Sequence, residues 1–393
     1  MAKEAHIIGA GIGGLAAAAI LAKTGWKVVA HERANTLREV GAGIFLKENG
    51  LQVLEELGPL DDLIAKGTRL RQSNLKDANG RSLLARDISA ERVYTVLRAD
   101  LHQHLTTLAA KWGVDVQTSA DIVDVHPDGR LNMAGGQEYK ADLIIGADGL
   151  NSITRRKMGL EVSCVGLPNG SSRMLVPQVD GDLKDESVEQ WVGHKRVLGV
   201  PVGRSLMYLC ASAKESDSRG VQLPFDVGYW SKLFPAYADL FSRVDPSTVI
   251  HHRHGLVHVN GWSKGKVAIL GDAVHGQPPN LGQGAGMSIS NAGSLAHILE
   301  SEPDVPHALA AWEAKERRLT EQVQNWSENW DHFVHKWPVG VERLRSVVIW
   351  GLANTPATRR HWGRLYRGLD QQASPAAPSA TNTKSSARLT ASN

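Results

Sequence analysis

Cysteine is almost absent: two residues in 393, Cys164 and Cys210, at no spacing that suits a metal site or a redox pair. That excludes a disulfide-stapled scaffold and fits a reducing cytoplasm, the expected location. Long apolar runs are also missing. None approaches the ~20 residues that a membrane helix needs, so no membrane partner is expected. The N-terminus enters a strand-like run within a few residues, leaving no room for a signal peptide. Charge of one sign is lacking too. The net charge is +3, acids and bases are mixed, and no basic block marks a nucleic-acid partner. No internal repeat is visible.

What is present is glycine in ordered motifs. Gly9-Ala10-Gly11-Ile12-Gly13-Gly14 follows the apolar run Ala5-His6-Ile7-Ile8, which reads as a buried parallel strand. Gly9 permits the tight turn, Gly11 lets backbone approach a pyrophosphate, and Gly14 lets the next helix pack closely on the sheet. That helix, Ile12 to Thr24, offers its N-terminal N–H groups and positive dipole end to phosphate. A second strand, Lys27 to His31, delivers Glu32 roughly eighteen residues past the glycines, placed to accept from a ribose diol. Two later motifs, Gly146-Ala147-Asp148-Gly149 and Gly271-Asp272-Ala273, complete a series that wraps one long ligand from adenosine to far end. The ligand that fits is FAD.

The predicted fold class is α/β: a Rossmann-like FAD-binding domain, an inserted mostly β substrate domain, and C-terminal helices. Residues 1–70, 96–162 and 263–305 form the discontinuous FAD-binding domain, and 71–95 with 163–262 form the β-rich insert. Thr68 to Tyr94 reads as a hairpin that leaves one domain and returns. Helix is expected near Leu51 to Ile64, from Ala99 to Trp112, near Tyr229 to Phe241, and from Asn291 to about Leu365, so 306–370 are the C-terminal helices. The Ala/Ser/Thr/Pro-rich stretch 371–393 reads as a disordered tail.

In motif order, residues 3 to 370 resemble the single-component FAD-dependent aromatic hydroxylases, the family of para-hydroxybenzoate and salicylate hydroxylases. Gly41-Ala42-Gly43-Ile44, Asn49-Gly50-Leu51, Ala141-Asp142-Leu143-Ile144, Arg219-Gly220 and Gly282-Gln283-Gly284-Ala285-Gly286 are similar to the branch that oxygenates 2-methyl-3-hydroxypyridine-5-carboxylate. The resemblance implies a para-hydroxybenzoate hydroxylase-type fold and an NAD(P)H-dependent monooxygenase. In that family a flavin C4a-hydroperoxide hydroxylates an electron-rich ring, and in this branch ring opening can follow. FAD is the bound cofactor, NADH or NADPH a transient co-substrate, and O₂ and a small aromatic carboxylate the substrates.

The same resemblance assigns cofactor contacts. Asp148 lies near the pyrophosphate, and Asp272 bonds a ribityl hydroxyl. Pro279 to Gly286, with Gly284, Ala285 and Gly286, turns N–H groups to the flavin's pyrimidine edge. Arg98 reaches the FAD from a helix start, and Gly43 belongs to a flavin-facing run. Arg33, beside Glu32, is counted with the cofactor residues but not as a 2′-phosphate reader, because that site belongs to FAD.

For the substrate, Arg196 and Tyr208 match positions that hold a carboxylate and a ring hydroxyl. An arginine fork pairs bidentately with carboxylate. Arg173 is the weaker alternative cation. Phe45, Pro278 and Pro279 wall the pocket, and Pro279 and Tyr208 are also counted with the catalytic groups. His194, two residues from Arg196 on one strand face, is a candidate base for deprotonating the ring hydroxyl.

The chain departs from that branch in having Phe45 for a tyrosine, Lys47 for an aromatic, and Pro278 for a cysteine. It also lacks a matching tyrosine near the start of the Thr68–Tyr94 segment. Lys47 reads as a solvated lysine before it reads as a charge near the flavin. His275 reads as a structural hydrogen-bonder in its turn. His251-His252-Arg253-His254 shows no third ligand at metal spacing, so no metal is expected. Trp326 and Trp330, four apart, share a helix face and read as core or subunit contact, leaving monomer and homodimer both open. Two rival readings remain: a flavin oxidoreductase of the same fold with different chemistry, and a non-catalytic FAD-binding redox or interaction protein.

Overall fold

The computed structural model describes residues 2–37, 41–338, 340–353 and 355–368. The expected tail, 371–393, lies outside the described residues. The first layer is a six-stranded sheet in the order Ser263–Lys264, Val267–Ile269, Leu143–Gly146, Glu4–Ile8, Lys27–His31, Asp115–Gln117. All pairs are parallel except the Ser263–Lys264 edge. Ile7 lies at its centre, in register with Ile145 on one side and Ala30 on the other. Helix Ile12–Lys23 packs on the central strands, and Tyr139 packs against the buried His6 and His31 of the same strands.

The helix Ile12–Lys23 is nearly apolar all round, and Leu15 and Leu21 are almost wholly buried. Each such leucine contributes about 1.5–3 kcal/mol of burial. The long helix Gly284–Ser301 packs on the Ile12–Lys23 helix and on Glu48–Leu57. It starts at Gly284, earlier than the expected Asn291, because its first turn carries glycine and serine and shows little apolar periodicity.

The second layer is a seven-stranded sheet in the order Ile250–Val259, Glu161–Pro177, Leu206–Lys214, Lys195–Val202, Glu186–Val192, Gln72–Lys76, Ser82–Asp87. Gln72–Lys76 and Ser82–Asp87 are the expected hairpin, and they join the sheet through a parallel pairing with Glu186–Val192. Thr68–Arg69 and Tyr94–Leu97 belong instead to a separate three-stranded sheet with Gly43–Leu46. A further antiparallel sheet, Ile122–Val125, Arg130–Met133 and Glu138–Lys140, was not anticipated from the sequence. Its signals are the turn pairs Asp128-Gly129 and Gly135-Gly136.

Helix Val305–His335 follows. Trp312 on it is buried against Trp262, with ring centroids 5.0 Å apart. Trp330 packs edge-on against Trp191 at 5.2 Å. The helices Glu342–Ala353 and Pro356–Arg367 are the last elements among the described residues. Among the described residues, no helix is long and apolar enough to cross a membrane.

Candidate active site

The first turn is set by backbone rather than by side chains. Gly9 adopts φ +100°, and a Cβ there would sit 2.5 Å from the Ala147 carbonyl oxygen. A Cβ on Gly14 would collide with the Gly9 carbonyl. Both oxygens of Glu32 hold this region: the N–H of Ala10 donates to one at 3.0 Å and the N–H of Ala34 to the other at 2.9 Å. A carboxylate has further lone pairs, so this arrangement leaves acceptor capacity for a diol.

From that turn one cavity of about 620 Å³ runs to the seven-stranded sheet. Gly11, Ile12, Gly13, Asp272, Gly284, Ala285, Arg196 and Tyr208 all line it. The sheet's register makes the far wall. Arg196, Ser212, Ser171 and His252 form one row across four strands. Leu198, Cys210 and Arg173 form the next, and Val200, Tyr208 and Leu175 the third. Residues two apart on a strand share a face, so these rows turn toward one side together.

Several expected residues line the cavity: Gly11, Gly43, Phe45, Arg98, Arg196, Tyr208, Asp272, Pro278, Pro279, Gly284 and Ala285. Gly43 must be glycine because a Cβ there would lie 2.7 Å from the Tyr208 ring. Others stand behind the wall. Gly9, Gly14 and Glu32 shape the turn, and Gly286 packs where a Cβ would come 2.9 Å from Asn49. Arg33 is exposed and does not line the cavity. Asp148 turns one oxygen to the N–H and hydroxyl of Thr154, both at 3.0 Å, while its neighbours Ala147 and Gly149 line the cavity. His194 does not reach the cavity; its Nδ1 lies 3.3 Å from the Val334 carbonyl. The two-residue spacing from Arg196 misled because a turn at Gly193–His194 separates His194 from the strand, which begins at Lys195.

Charge in the site is unevenly matched. Arg196 is buried and holds Glu189 at 3.3 Å and the Asn280 side-chain oxygen. Asn280 in turn donates to the Ser327 carbonyl at 2.6 Å. Arg173 faces the cavity and makes no ion pair among the described residues. Burial opposes its charge, but nearby Tyr208, Cys210 and Asp272 more than compensate, and its guanidinium stays firmly protonated. Burial, reinforced by Cys210, pushes the Tyr208 phenol well above its usual range, so it remains an O–H donor.

Two readings from the sequence need correction. Lys47 is not solvated: it is 2 % exposed, lines the cavity and donates to the Leu281 carbonyl at 2.6 Å. Burial, aided by Arg86, pushes its amine well below the usual lysine range. His275 makes no side-chain hydrogen bond among the described residues, and both its ring nitrogens are buried. Sequence reasoning also passed over Glu189, Ser212, His252, His254, Asn280, Trp330 and Tyr366, all of which line the cavity. His252 and His254, two apart on one strand and so on one face, were the available signal.

The family model described as FAD binding domain matches residues 3–327. The chain belongs to that family. It is 33 % identical to a 2-heptyl-3-hydroxy-4(1H)-quinolone synthase of Mycobacteroides abscessus, over 82 % of this chain and 88 % of the relative. It is 32 % identical to a 3-amino-4-hydroxybenzoate 2-monooxygenase of Streptomyces cremeus, over 76 % of this chain and 79 % of that one. The solved structure of 2-methyl-3-hydroxypyridine-5-carboxylic acid oxygenase superposes with a TM-score of 0.80 at 31 % identity, covering 91 % of this chain and 96 % of the other. The protein is thus an FAD-dependent monooxygenase acting on an aromatic substrate. The rival readings, other flavin chemistry or a non-catalytic flavin binder, are not favoured. FAD fits the residues present: the glycine turn, where side chains would collide with the Ala147 and Gly9 carbonyls, leaves backbone alone at the cavity, and Asp272 lines the same cavity.

Proposed function

We propose that the enzyme hydroxylates a small aromatic or pyridine ring that carries an acidic substituent and a ring hydroxyl or amino group. The observation that carries this is the pairing of Arg173 and Arg196 on adjacent rows of one sheet face, at the end of a cavity that starts at the glycine turn. Arg173 faces the cavity and has no ion pair among the described residues, so it takes the substrate's acidic group. Arg196, held by Glu189 and Asn280, offers its remaining N–H groups as a second contact.

Bound here, FAD would supply the chemistry that the side chains lack: hydride uptake from NADH or NADPH and activation of O₂ for transfer of one oxygen atom to the ring. The chain's own residues bind, orient and shield. Glu32 and the glycine turn hold the dinucleotide end, and Arg98 and Asp272 hold the middle. Phe45, Pro278 and Pro279 exclude water at the reacting end. Tyr208 donates its hydroxyl hydrogen to a ring substituent, and His194 serves no proton transfer.

A second reading has its own support. Leu75, Leu84, Leu198 and Trp330 give the cavity an apolar flank that suits a 2-alkyl-4-quinolone, the chemistry named for the Mycobacteroides relative. The deciding experiment measures NADH and NADPH oxidation, oxygen uptake and product mass. It screens hydroxypyridine carboxylates, hydroxybenzoates, aminobenzoates and 2-heptyl-4-quinolone. Stimulated turnover with a product one oxygen atom heavier supports the first reading if an aromatic acid is the substrate, and the second if the quinolone is. Two added oxygen atoms mean ring cleavage. Hydrogen peroxide alone from every compound defeats both readings.

A further inference from the structure

A chain of buried polar side chains runs from Ser212 through Ser171 to His254, with Ser212 and His254 both lining the cavity, and on to Asp331. Ser212 lines the cavity, and its Oγ lies 2.7 Å from the Oγ of Ser171. The Ser171 Oγ lies 2.7 Å from Nε2 of His254. The other ring nitrogen of His254, Nδ1, faces Asp331 Oδ1 at 3.6 Å. Asp331 is 2 % exposed, and its second oxygen accepts from the Asn169 amide at 2.5 Å. Ser171 and Ser212 are wholly buried, and His254 is 4 % exposed.

Apolar packing does not call for this arrangement. Five polar side chains from three strands and one helix converge in a core where each unpaired group costs about 1–3 kcal/mol. The strands bring Ser212, Ser171, Asn169 and His254, and helix Val305–His335 brings Asp331. Hydroxyls in series both accept and donate, which is what passing a proton requires. An imidazole with a hydroxyl on one nitrogen and a carboxylate on the other can receive that proton and hold it.

We propose that Ser212, Ser171, His254 and Asp331 form a relay that takes the proton from the ionisable ring substituent of the bound substrate. The proposal rests on the aromatic-acid reading above. The balance is simple. The substrate O–H bond breaks and its proton passes to Ser212 Oγ, while the Ser212 hydroxyl proton moves to Ser171. The Ser171 hydroxyl proton then forms an N–H bond at His254 Nε2. The electron pair stays on the substrate oxygen, which becomes the electron-rich donor that ring hydroxylation needs. Asp331 is a positioning residue: it orients the imidazole and balances its charge. When the product ring regains its proton, the same steps run backwards.

The groups facing His254 make it receptive only when a proton is offered. Asp331 and His335 face it from the helix, Arg196 and Arg173 from neighbouring strands, and His252 lies two residues away on its own strand. Burial keeps His254 below its ordinary range and the two arginines push the same way, while Asp331 opposes them. The imidazole is therefore neutral at rest, with Nε2 free to accept.

The test uses the FAD-loaded enzyme and 4-hydroxy-3-nitrobenzoate, an aromatic acid whose phenolate absorbs visible light. Difference spectra follow the bound probe between about pH 5 and about pH 9. In the native enzyme the bound probe ionises at lower pH than the free probe. In His254→Gln and in Ser171→Ala the midpoint rises by about one pH unit, with flavin content unchanged. Midpoints equal to the native one in both variants overturn the relay while leaving the substrate reading intact. If His254→Gln fails to retain flavin, Ser171→Ala decides alone, because it removes one hydroxyl and adds no bulk. Failure of the native enzyme to bind the probe overturns the aromatic-acid reading and the relay with it.

Discussion

The side-chain nitrogen of Lys47 lies 3.3 Å from the centre of the Tyr366 ring, while the Arg86 guanidinium stands 4.5 Å from that same ring. A lysine from the flavin-side region and an arginine from the edge hairpin thereby share one aromatic ring from the last helix. Tyr366 lines the cavity, and its carbonyl accepts from Gln283, inside the glycine-rich run. The last helix is in this way tied to the site by side chains from distant parts of the chain.

Burial and Arg86 push the Lys47 amine well below its usual range, so Lys47→Met loses a hydrogen bond to Leu281 and a ring contact while removing a charge that the site disfavours. A loss of about 1–3 kcal/mol is expected. Lys47→Arg, with a larger and permanently charged group, costs more. Thermal unfolding followed by flavin fluorescence ranks the two, and an arginine variant as stable as the native enzyme contradicts this account.

At the substrate end, Arg173→Met raises the substrate KM by about 10–100-fold, the worth of a charge-assisted hydrogen bond. Arg196→Met also raises KM, and it further destabilises the fold because Glu189 and Asn280 lose their partner. Flavin content stays near stoichiometric in Arg173→Met. Steady-state kinetics beside flavin absorbance separate the two variants.

Gly14→Ala places a methyl group against the Gly9 carbonyl, and no rotamer relieves it. The expected outcome is loss of FAD binding together with a destabilisation above about 3 kcal/mol. A yellow, normally stable Gly14→Ala protein shows that the turn tolerates what the geometry forbids.

Acid lability should begin unusually early. His335 is pushed down to about 3 and His31 to about 4, both first by burial, so each is neutral in the folded enzyme. The unfolded chain, with ordinary histidines near 6.5, binds more protons between those values and about pH 6.5, so stability rises with pH across that window. It is lost progressively as pH falls from about 6.5 toward about 3. Asp331 adds to the loss at the lower end: burial raises its carboxyl, but His254, His335 and Arg196 outweigh that and hold it well below the usual range. Melting temperatures at pH 7 and pH 5 check the sign, and a flat profile refutes it.

His194→Gln leaves the substrate KM and the pH dependence of turnover unchanged, because the side chain points to the Val334 carbonyl. A shifted acid limb in this variant would reinstate His194 as a base.

The nucleotide end was legible because its chemistry is local. Gly9, Gly14 and Glu32 act through turn geometry within a short stretch, and sequence spacing reports that directly. The substrate end was legible only in part. Arg196 and Tyr208 could be singled out, but not that Glu189 and Asn280 already occupy Arg196 while Arg173 has no ion pair among the described residues. Pairing across strands depends on register, which a single sequence specifies weakly. Lys47 misled for a related reason: lysine is almost never fully buried, and the groups that enclose it here, the Leu281 carbonyl and the Tyr366 ring, lie far away in the chain. The Asp331–His254 contact has the same character, since it joins a strand to a helix some 80 residues later.

The interleaved order of the six-stranded sheet shapes how the chain is made. Its central strand, Glu4–Ile8, leaves the ribosome first, but its partner Leu143–Gly146 and that strand's own neighbour Val267–Ile269 emerge much later. During synthesis the sheet therefore carries an open edge, and such edges recruit other chains. Non-local parallel pairing is also slow to form. A nascent chain stopped short of Ile269 lacks the strand that covers Leu143–Gly146, so chaperone capture and early flavin supply should govern yield more than the stability of the finished enzyme.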